Sequence, residues 1–174
     1  MIARASCSWM RRIRTVPVLM FMATVLKAEP VQAQLRGTGV GAGRPSVAAE
    51  VVPGSLARHA DALSLRISVE VPREHHGYLD KGDDGFFIPF SFSFPDLEGT
   101  EVKAEMTSRP SGTRDDRVGA QVLRGQAEFG FRLVPVPGPG TEATASLRYQ
   151  ICSDVTQRCY PPARLAIPVV LSPP

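Results

Sequence analysis

Residues 63–71 read LSLRISVEV, and this stretch decides the fold class. Leucine, isoleucine and valine occupy the odd-numbered positions, whereas serine, arginine and glutamate occupy the even-numbered ones. A period of two places all the apolar side chains on one face of an extended strand. The stretch therefore predicts a half-buried β-strand with one face against a core and the other face in solvent.

The same alternation recurs along the rest of the chain. Further alternating runs lie at residues 86–94, 102–106, 118–123, 129–133, 143–149 and 165–171. Turn signals separate several of them, for example KGDDG at 81–85 and PGPG at 137–140. Because no run has the helical apolar spacing over three turns, about seven short strands predict an all-β, antiparallel β-sandwich, with a small closed barrel as the alternative.

The run at 86–94 contains five phenylalanines. We interpret it as a core strand, with Phe87 on the opposite face, either exposed or covered by a partner. A binding surface built from these rings is the alternative. Pro89 lacks a backbone donor, so this strand is predicted to lie at a sheet edge or to be bulged there.

The first 33 residues are typical of a secretory signal peptide. Four arginines precede an apolar run at 16–26, and Val31-Gln32-Ala33 offers small residues for cleavage after Ala33. The run is too short for a bilayer span, which needs ~20 residues. We expect an exported protein, and a retained membrane anchor is the alternative. Residues 34–57, rich in glycine and alanine, are predicted to be a flexible leader before a domain at 58–174.

Cleavage after Ala33 would change the charge and the cysteine count. It removes five of the 20 basic residues but only one of the 17 acidic residues, which brings the formal net charge close to −1. No basic face then argues for nucleic acid as a partner. Cleavage also removes Cys7, so that two cysteines, Cys152 and Cys159, remain in an oxidising compartment. An even number of cysteines there predicts a single disulfide.

Cys152 follows the run at 143–149, and Cys159 precedes the run at 165–171. If these runs form a hairpin, the cysteines face each other near its mouth at a distance that a disulfide can bridge. The closed loop is short, and its stabilising effect is only about 2.5 kcal/mol. Arg158 favours a thiolate at Cys159, whereas Asp154 opposes one near Cys152. Spacing alone leaves open an inert structural bridge or an exchangeable one.

Motifs around the cysteines carry a family resemblance. Residues 149–154 (YQICSD) and 159–162 (CYPP), together with Gly77-Tyr78-Leu79, resemble the active-site region of the N-terminal periplasmic domain of the thiol:disulfide interchange protein DsbD. The similarity spans about residues 52–171. It implies an immunoglobulin-like sandwich in the periplasm, a redox-active pair in which Cys159 attacks a partner disulfide, and Cys152 as the resolving cysteine.

The resemblance also implies partners. A membrane electron-transfer protein would reduce the pair, and periplasmic thioredoxin-like oxidoreductases would accept its electrons, as in a component of a protein-disulfide reductase. No metal, small-molecule cofactor or nucleic acid is expected. Because the family's full protein continues into a membrane domain and a thioredoxin-like domain, we expect separate proteins in those roles, or a fixed membrane assembly. The alternative function is a non-catalytic exported binding module with a structural disulfide.

Residues 115–119 (DDRVG) align with a cap loop that in the family carries paired acids, aromatics and glycine. Asp115 and Asp116 fit as modulators of the cysteines, although a solvated turn is the alternative. Arg117 and Val118 replace the aromatic residues, so weaker shielding of the disulfide is expected.

Two tyrosines and a histidine pair complete the candidates. Tyr78 and Tyr160 are candidates for packing over the disulfide, with ordinary core or edge packing as the alternative. His75 and His76 are adjacent and would point to opposite faces of a strand, which disfavours a shared metal. They are interpreted as exposed turn histidines.

Overall fold

The computed structural model describes residues 44–171, so the predicted signal peptide and residues 34–43 lie outside it. Within this range the chain forms twelve strands and a single-turn 3-10 helix at Pro95–Leu97. The strands are β1 (Ala48–Val51), β2 (Ala57–His59), β3 (Ala62–Glu70), β4 (His75–Tyr78), β5 (Ser91–Ser93), β6 (Lys103–Ser108), β7 (Thr113–Asp115), β8 (Ala120–Leu123), β9 (Gln126–Val134), β10 (Glu142–Tyr149), β11 (Ile151–Ser153) and β12 (Ala163–Val170).

The strands of the described range build three sheets, and their ladders are antiparallel. The first sheet has the order β1-β3-β9-β6, with β2 also paired to β3. The second has the order β12-β10-β5, and the third, which carries the cysteine pair, has the order β11-β4-β8-β7.

The core lies between the first two sheets, as period-two alternation requires. The odd-numbered residues of β3 are buried, and they pack in one cluster with inward residues of β9, β10 and β12. Ile67, Leu133 and Leu147, from three of these strands, are each 0% exposed. This arrangement confirms the all-β, immunoglobulin-like antiparallel sandwich.

The long hairpin of the second sheet leads to the cysteines. β10 and β12 pair without a break from Glu142 with Val170 to Tyr149 with Ala163. Beyond Tyr149 the chain leaves the second sheet and enters the third as β11, which pairs with β4. The mouth of the hairpin is therefore held by a separate sheet, and a rigid scaffold positions the loop that joins the cysteines.

Two boundaries from the sequence analysis need correction. β1 lies inside the segment interpreted as a flexible leader, and β2 begins at its last residue. Val47 and Ala49 are buried in the core, so the sandwich begins well before residue 58. Residues 86–94 do not form one strand, because β5 covers only Ser91–Ser93. Phe86 is 81% exposed, and the chain before Pro89 follows an irregular path across the third sheet.

Candidate functional site

The third sheet brings the two cysteines together. Cys152 lies in β11 opposite His76 of β4, and an antiparallel bridge pairs Cys152 with Cys159. The two side chains form a disulfide. The backbone on either side is fixed as well, since the amide of Ser153 donates to the carbonyl of Arg158 and the amide of Tyr160 donates to that of Ile151.

The two cysteines differ in exposure. Cys152 is 2% exposed, whereas Cys159 is exposed on the loop. The intervening turn is ordered by Ser153, whose hydroxyl oxygen accepts hydrogen bonds from the amides of Val155 and Thr156. An exposed cysteine bonded to a buried one leaves one cysteine open to attack by a partner thiolate, which is the first step of thiol–disulfide exchange through a mixed disulfide.

Tyr78 places its hydroxyl against the disulfide. The oxygen lies 3.1 Å from Sγ of Cys152 and 3.6 Å from Sγ of Cys159. The side chain is 1% exposed. Burial, followed by the negative charges of Asp115 and Asp154, raises the pKa of Tyr78 to about 12. The hydroxyl therefore keeps its proton at neutral pH and can donate it to a sulfur.

His76 is buried at this site, and its interpretation as an exposed turn histidine is wrong. It is 4% exposed, with Nε2 3.3 Å from the Tyr78 hydroxyl and Nδ1 2.7 Å from Oδ1 of Asp154. Its place on β4 explains this, because residues two apart on a strand share a face and Tyr78 faces the disulfide. His75 points elsewhere, with Nδ1 2.7 Å from the carbonyl oxygen of Arg73 and its ring 5.8 Å from that of Tyr160.

Asp154 continues the network to arginine. Arg124, directly after β8, donates from Nε and Nη2 to the two carboxylate oxygens of Asp154 at 3.1 and 3.0 Å. Arg124 and then His76 hold the pKa of Asp154 below its usual value. The carboxylate that faces His76 is thus ionised at neutral pH.

Asp115 joins the same arginine from the other side. Arg117 binds its carboxylate first, Arg124 adds a hydrogen bond at 3.2 Å, and together they lower the pKa of Asp115 to about 2. Asp116 points away, with a side chain that is 95% exposed and 3.8 Å from Arg114. Of the two predicted acidic modulators, the structure brings Asp115 into the electrostatic environment of Tyr78 and leaves Asp116 at the surface.

An aromatic ring covers Tyr78 from an unexpected segment. Phe87 stacks on Tyr78 with ring centroids 4.0 Å apart, and Val118 packs against the same small cluster of Tyr78, Ala120, Val122 and Cys152. The two covering segments are joined, since the amide of Asp83 donates to the carbonyl of Gly119 and its carboxylate accepts from Arg114 at 2.8 Å.

The remaining motif residues have supporting positions. Gln150 accepts from the amide of Ile88 at 3.3 Å and donates to the carbonyl of Tyr160 at 3.2 Å, so it ties the covering segment to the Cys159 side. Tyr160 is half-buried, and the guanidinium of Arg44 lies 5.8 Å from its ring centroid. Arg158 is exposed, and its backbone carbonyl accepts the hydrogen bond from Ser153.

Sequence reasoning missed three residues of this site: His76, Arg124 and Phe87. His76 carried a usable signal, namely its spacing of two from Tyr78 in a short strand. Phe87 was expected to be exposed or covered by a partner, whereas it stacks on Tyr78 of the same chain. Arg124 carried no signal, because it comes from a different loop and meets Asp154 only through the packing of the third sheet.

Comparison with known proteins identifies a family. The family model described as "Thiol:disulfide interchange protein DsbD, N-terminal" matches residues 47–170. Among solved structures, the DsbD N-terminal domain of Neisseria meningitidis in the reduced form matches at 20% identity with a TM-score of 0.42, covering 64% of this chain and 78% of that chain. No curated protein matches.

In the part of the chain that the structure describes, no helix is long and apolar enough to cross a membrane.

Proposed function

Because the chain belongs to the family of N-terminal domains of the thiol:disulfide interchange protein DsbD, we propose that it relays electrons in the periplasm by thiol–disulfide exchange at Cys152 and Cys159. The donor is a membrane reductant, and the acceptors are thioredoxin-like oxidoreductases. The observation that carries this proposal is the exposed Cys159 bonded to a buried Cys152 on a fixed turn. In this proposal residues 1–33 direct export and are cleaved off after Ala33.

The first half of the cycle reduces the domain. A donor thiolate attacks the accessible Sγ of Cys159, forms a mixed disulfide and breaks the bond to Cys152. The sulfur of Cys152 leaves as a thiolate and takes up a proton. A second donor thiolate then attacks the donor sulfur of the mixed disulfide, which releases Cys159. Two electrons have passed to the domain, and the donor carries a disulfide.

The second half oxidises the domain again. The thiolate of Cys159 attacks an acceptor disulfide, and one acceptor cysteine leaves as a thiolate. The thiolate of Cys152 next attacks Sγ of Cys159, which restores the internal bond and expels the other acceptor sulfur. The residues in place suffice for each step, because the reacting groups are the two sulfurs and the thiols of the partners.

Trapping tests this function. Cys152→Ser leaves the accessible Cys159 without its resolving partner, so a mixed disulfide with a thioredoxin-like oxidoreductase should accumulate and disappear on treatment with a reducing agent. Cys159→Ser leaves only a buried thiol and should trap far less. The double variant is the matched control and should trap nothing.

The binding-module alternative gives a different result. It predicts that neither single variant forms a mixed disulfide, and that the double variant keeps its partner and loses only stability. If neither single variant traps a partner while both are folded, the proposed electron transfer through the cysteine pair is ruled out.

A further inference from the structure

A continuous line of polar side chains leads away from Cys152 through the interior of the third sheet. The Tyr78 hydroxyl lies 3.1 Å from the sulfur of Cys152, His76 lies 3.3 Å from that hydroxyl, and Asp154 lies 2.7 Å from His76. Arg124 binds the far side of Asp154. Disulfide exchange by the proposed function uses only the two sulfurs, so this line requires its own explanation.

The hydrogen positions along the line follow from the charge of Asp154. An ionised carboxylate only accepts hydrogen bonds, so Nδ1 of His76 must carry the hydrogen that faces it. In a neutral imidazole the other nitrogen, Nε2, is then an acceptor. The Tyr78 hydroxyl can donate its proton to Nε2 and accept one from the thiol of Cys152.

We propose that Tyr78, His76 and Asp154 form a proton relay that activates Cys152 as the resolving nucleophile. This inference rests on the proposed function and deepens it. Tyr78 touches the reacting sulfur and is a catalytic residue in this scheme. His76 and Asp154 act through it and are positioning residues.

The resolving step balances as follows. The thiol proton of Cys152 passes to the Tyr78 oxygen while the hydroxyl proton of Tyr78 passes to Nε2 of His76. The new Cys152 thiolate attacks Sγ of Cys159, the internal S–S bond forms, and the bond from Cys159 to the partner sulfur breaks. The partner leaves as a thiolate, and the proton on His76 passes to solvent. The raised pKa of Tyr78 suits this role, because the hydroxyl passes a proton on without itself remaining ionised.

The same groups serve the reductive direction. When a donor attacks Cys159, negative charge develops on the departing sulfur of Cys152, and the Tyr78 hydroxyl is already within hydrogen-bond distance of it. The hydroxyl donates to that sulfur, and a protonated His76 resupplies the hydroxyl.

The charged and titratable groups facing His76 come from several elements. Tyr78 lies on its own strand, Cys152 and Asp154 lie on or after β11, and Arg124 follows β8. Asp115, at the end of β7, reaches this network through Arg124. The imidazole is therefore in direct contact with one ionised carboxylate, which an arginine holds in place.

The test measures the reactions of Cys159 and Cys152 separately with a chromogenic disulfide, 5,5′-dithiobis(2-nitrobenzoate). The reduced protein should release nitrothiobenzoate in two phases. The first is attack by the exposed Cys159, and its rate depends on reagent concentration. The second is attack by Cys152 on the resulting mixed disulfide, and it is first order.

The relay predicts selective effects on the second phase. His76→Gln keeps a polar amide but cannot take up a proton, and Tyr78→Phe removes the bridging hydroxyl. Each should slow the second phase at pH 7 by about 100-fold or more, since general acid–base catalysis contributes ~10²–10⁴-fold. The rate of the first phase should stay unchanged in both variants. Matched controls are His59→Gln on β2 and Tyr149→Phe in the core, which should leave both phases unchanged.

The pH profile distinguishes a relay from simple packing. Above about pH 10 an ordinary cysteine thiol is already ionised, so the deficit of His76→Gln should shrink with rising pH and disappear there. A deficit of constant size at every pH, or no deficit at pH 7, would overturn the relay. If His76→Gln does not fold, Asp154→Asn and Tyr78→Phe decide by the same profile. Failure of trapping by Cys152→Ser would refute the electron-transfer function while leaving these phases measurable.

Discussion

Phe87 stacks on Tyr78 with the ring centroids 4.0 Å apart and the planes tilted by 17°. The residues aligned with the family's aromatic cap are Arg117 and Val118, so the expectation from sequence was a weakly shielded disulfide. The structure places a phenylalanine over the site from the segment before β5 instead. That segment is tied to the aligned loop through Asp83 and Gly119, and the cover is therefore shared by two loops.

Phe87→Ala should expose this side of the site. With the ring gone, water reaches Tyr78 and Cys152 and can stabilise the Cys152 thiolate that leaves when dithiothreitol attacks Cys159, so reduction of the disulfide at pH 7 should accelerate several-fold. Loss of a half-buried ring should also lower the free energy of unfolding by about 1–3 kcal/mol, less than for a fully buried phenylalanine. Thiol labelling after quenching measures the rate. Phe86→Ala, at an 81% exposed neighbour, is the control, and equal rates for the two variants would contradict a covering role.

Asp115→Asn should destabilise the protein in a pH-dependent way. The native pKa of Asp115 is lowered from 3.8 to about 2, so its ionised form stabilises the fold above the unfolded-state pKa. That contribution is lost as the pH falls from about 4 toward 2. Because the arginine partners are largely exposed, the expected loss at pH 7 is about 1 kcal/mol rather than the full value of the shift.

Urea unfolding at pH 7 and pH 3 measures the effect of Asp115→Asn. The difference from the wild type should be smaller at the lower pH. Asp116→Asn, with its exposed side chain, is the matched control and should change stability little at either pH. A penalty for Asp115→Asn that stays constant across this range would assign its cause to packing rather than to charge.

Gly77→Ala should disturb the strand that carries His76 and Tyr78. A methyl group at Gly77 would overlap the ring of Phe90, and overpacking of this kind costs about 1–3 kcal/mol. Gly138→Ala is the control, since the nearest atom to its added Cβ is 3.8 Å away. Thermal unfolding of the two variants compares them, and a Gly77→Ala protein as stable as the control would show that Phe90 moves aside freely.

The long strands were predictable because each repeats one simple rule over many residues. The run at 63–71 became β3, and the runs at 129–133, 143–149 and 165–171 became β9, β10 and β12. Alternation over eight or nine residues fixes which face is buried, and burial of that face determines the sandwich. The prediction of one strand at 86–94 was wrong: the phenylalanines alternate, but only Ser91–Ser93 forms a strand. Phe87 stacks on Tyr78 instead, and Pro89 has no backbone N–H to donate to a neighbouring strand.

The short strands could not be predicted, because an alternation of apolar and polar residues over three or four positions is too short to recognise. β1, β4, β7 and β11 have no alternation long enough to stand out, and each is stabilised by its neighbours in a sheet. The site is built mainly on such strands. Its cysteines and its Tyr78 could be identified from motifs, whereas the burial of His76 depended on recognising β4.

The sandwich and the pair of Cys152 and Cys159 could be predicted before folding is considered, because local periodicity and a compact motif are both visible along the chain. Only the tertiary structure decided which sulfur is buried and that His76, Asp154 and Arg124 line up behind Tyr78. The same packing places Phe87 on the ring of Tyr78. The contacts of Asp154 with His76 and Arg124, and of Tyr78 with Cys152, join residues 30 to 78 positions apart, and such residues meet only when the sheets pack.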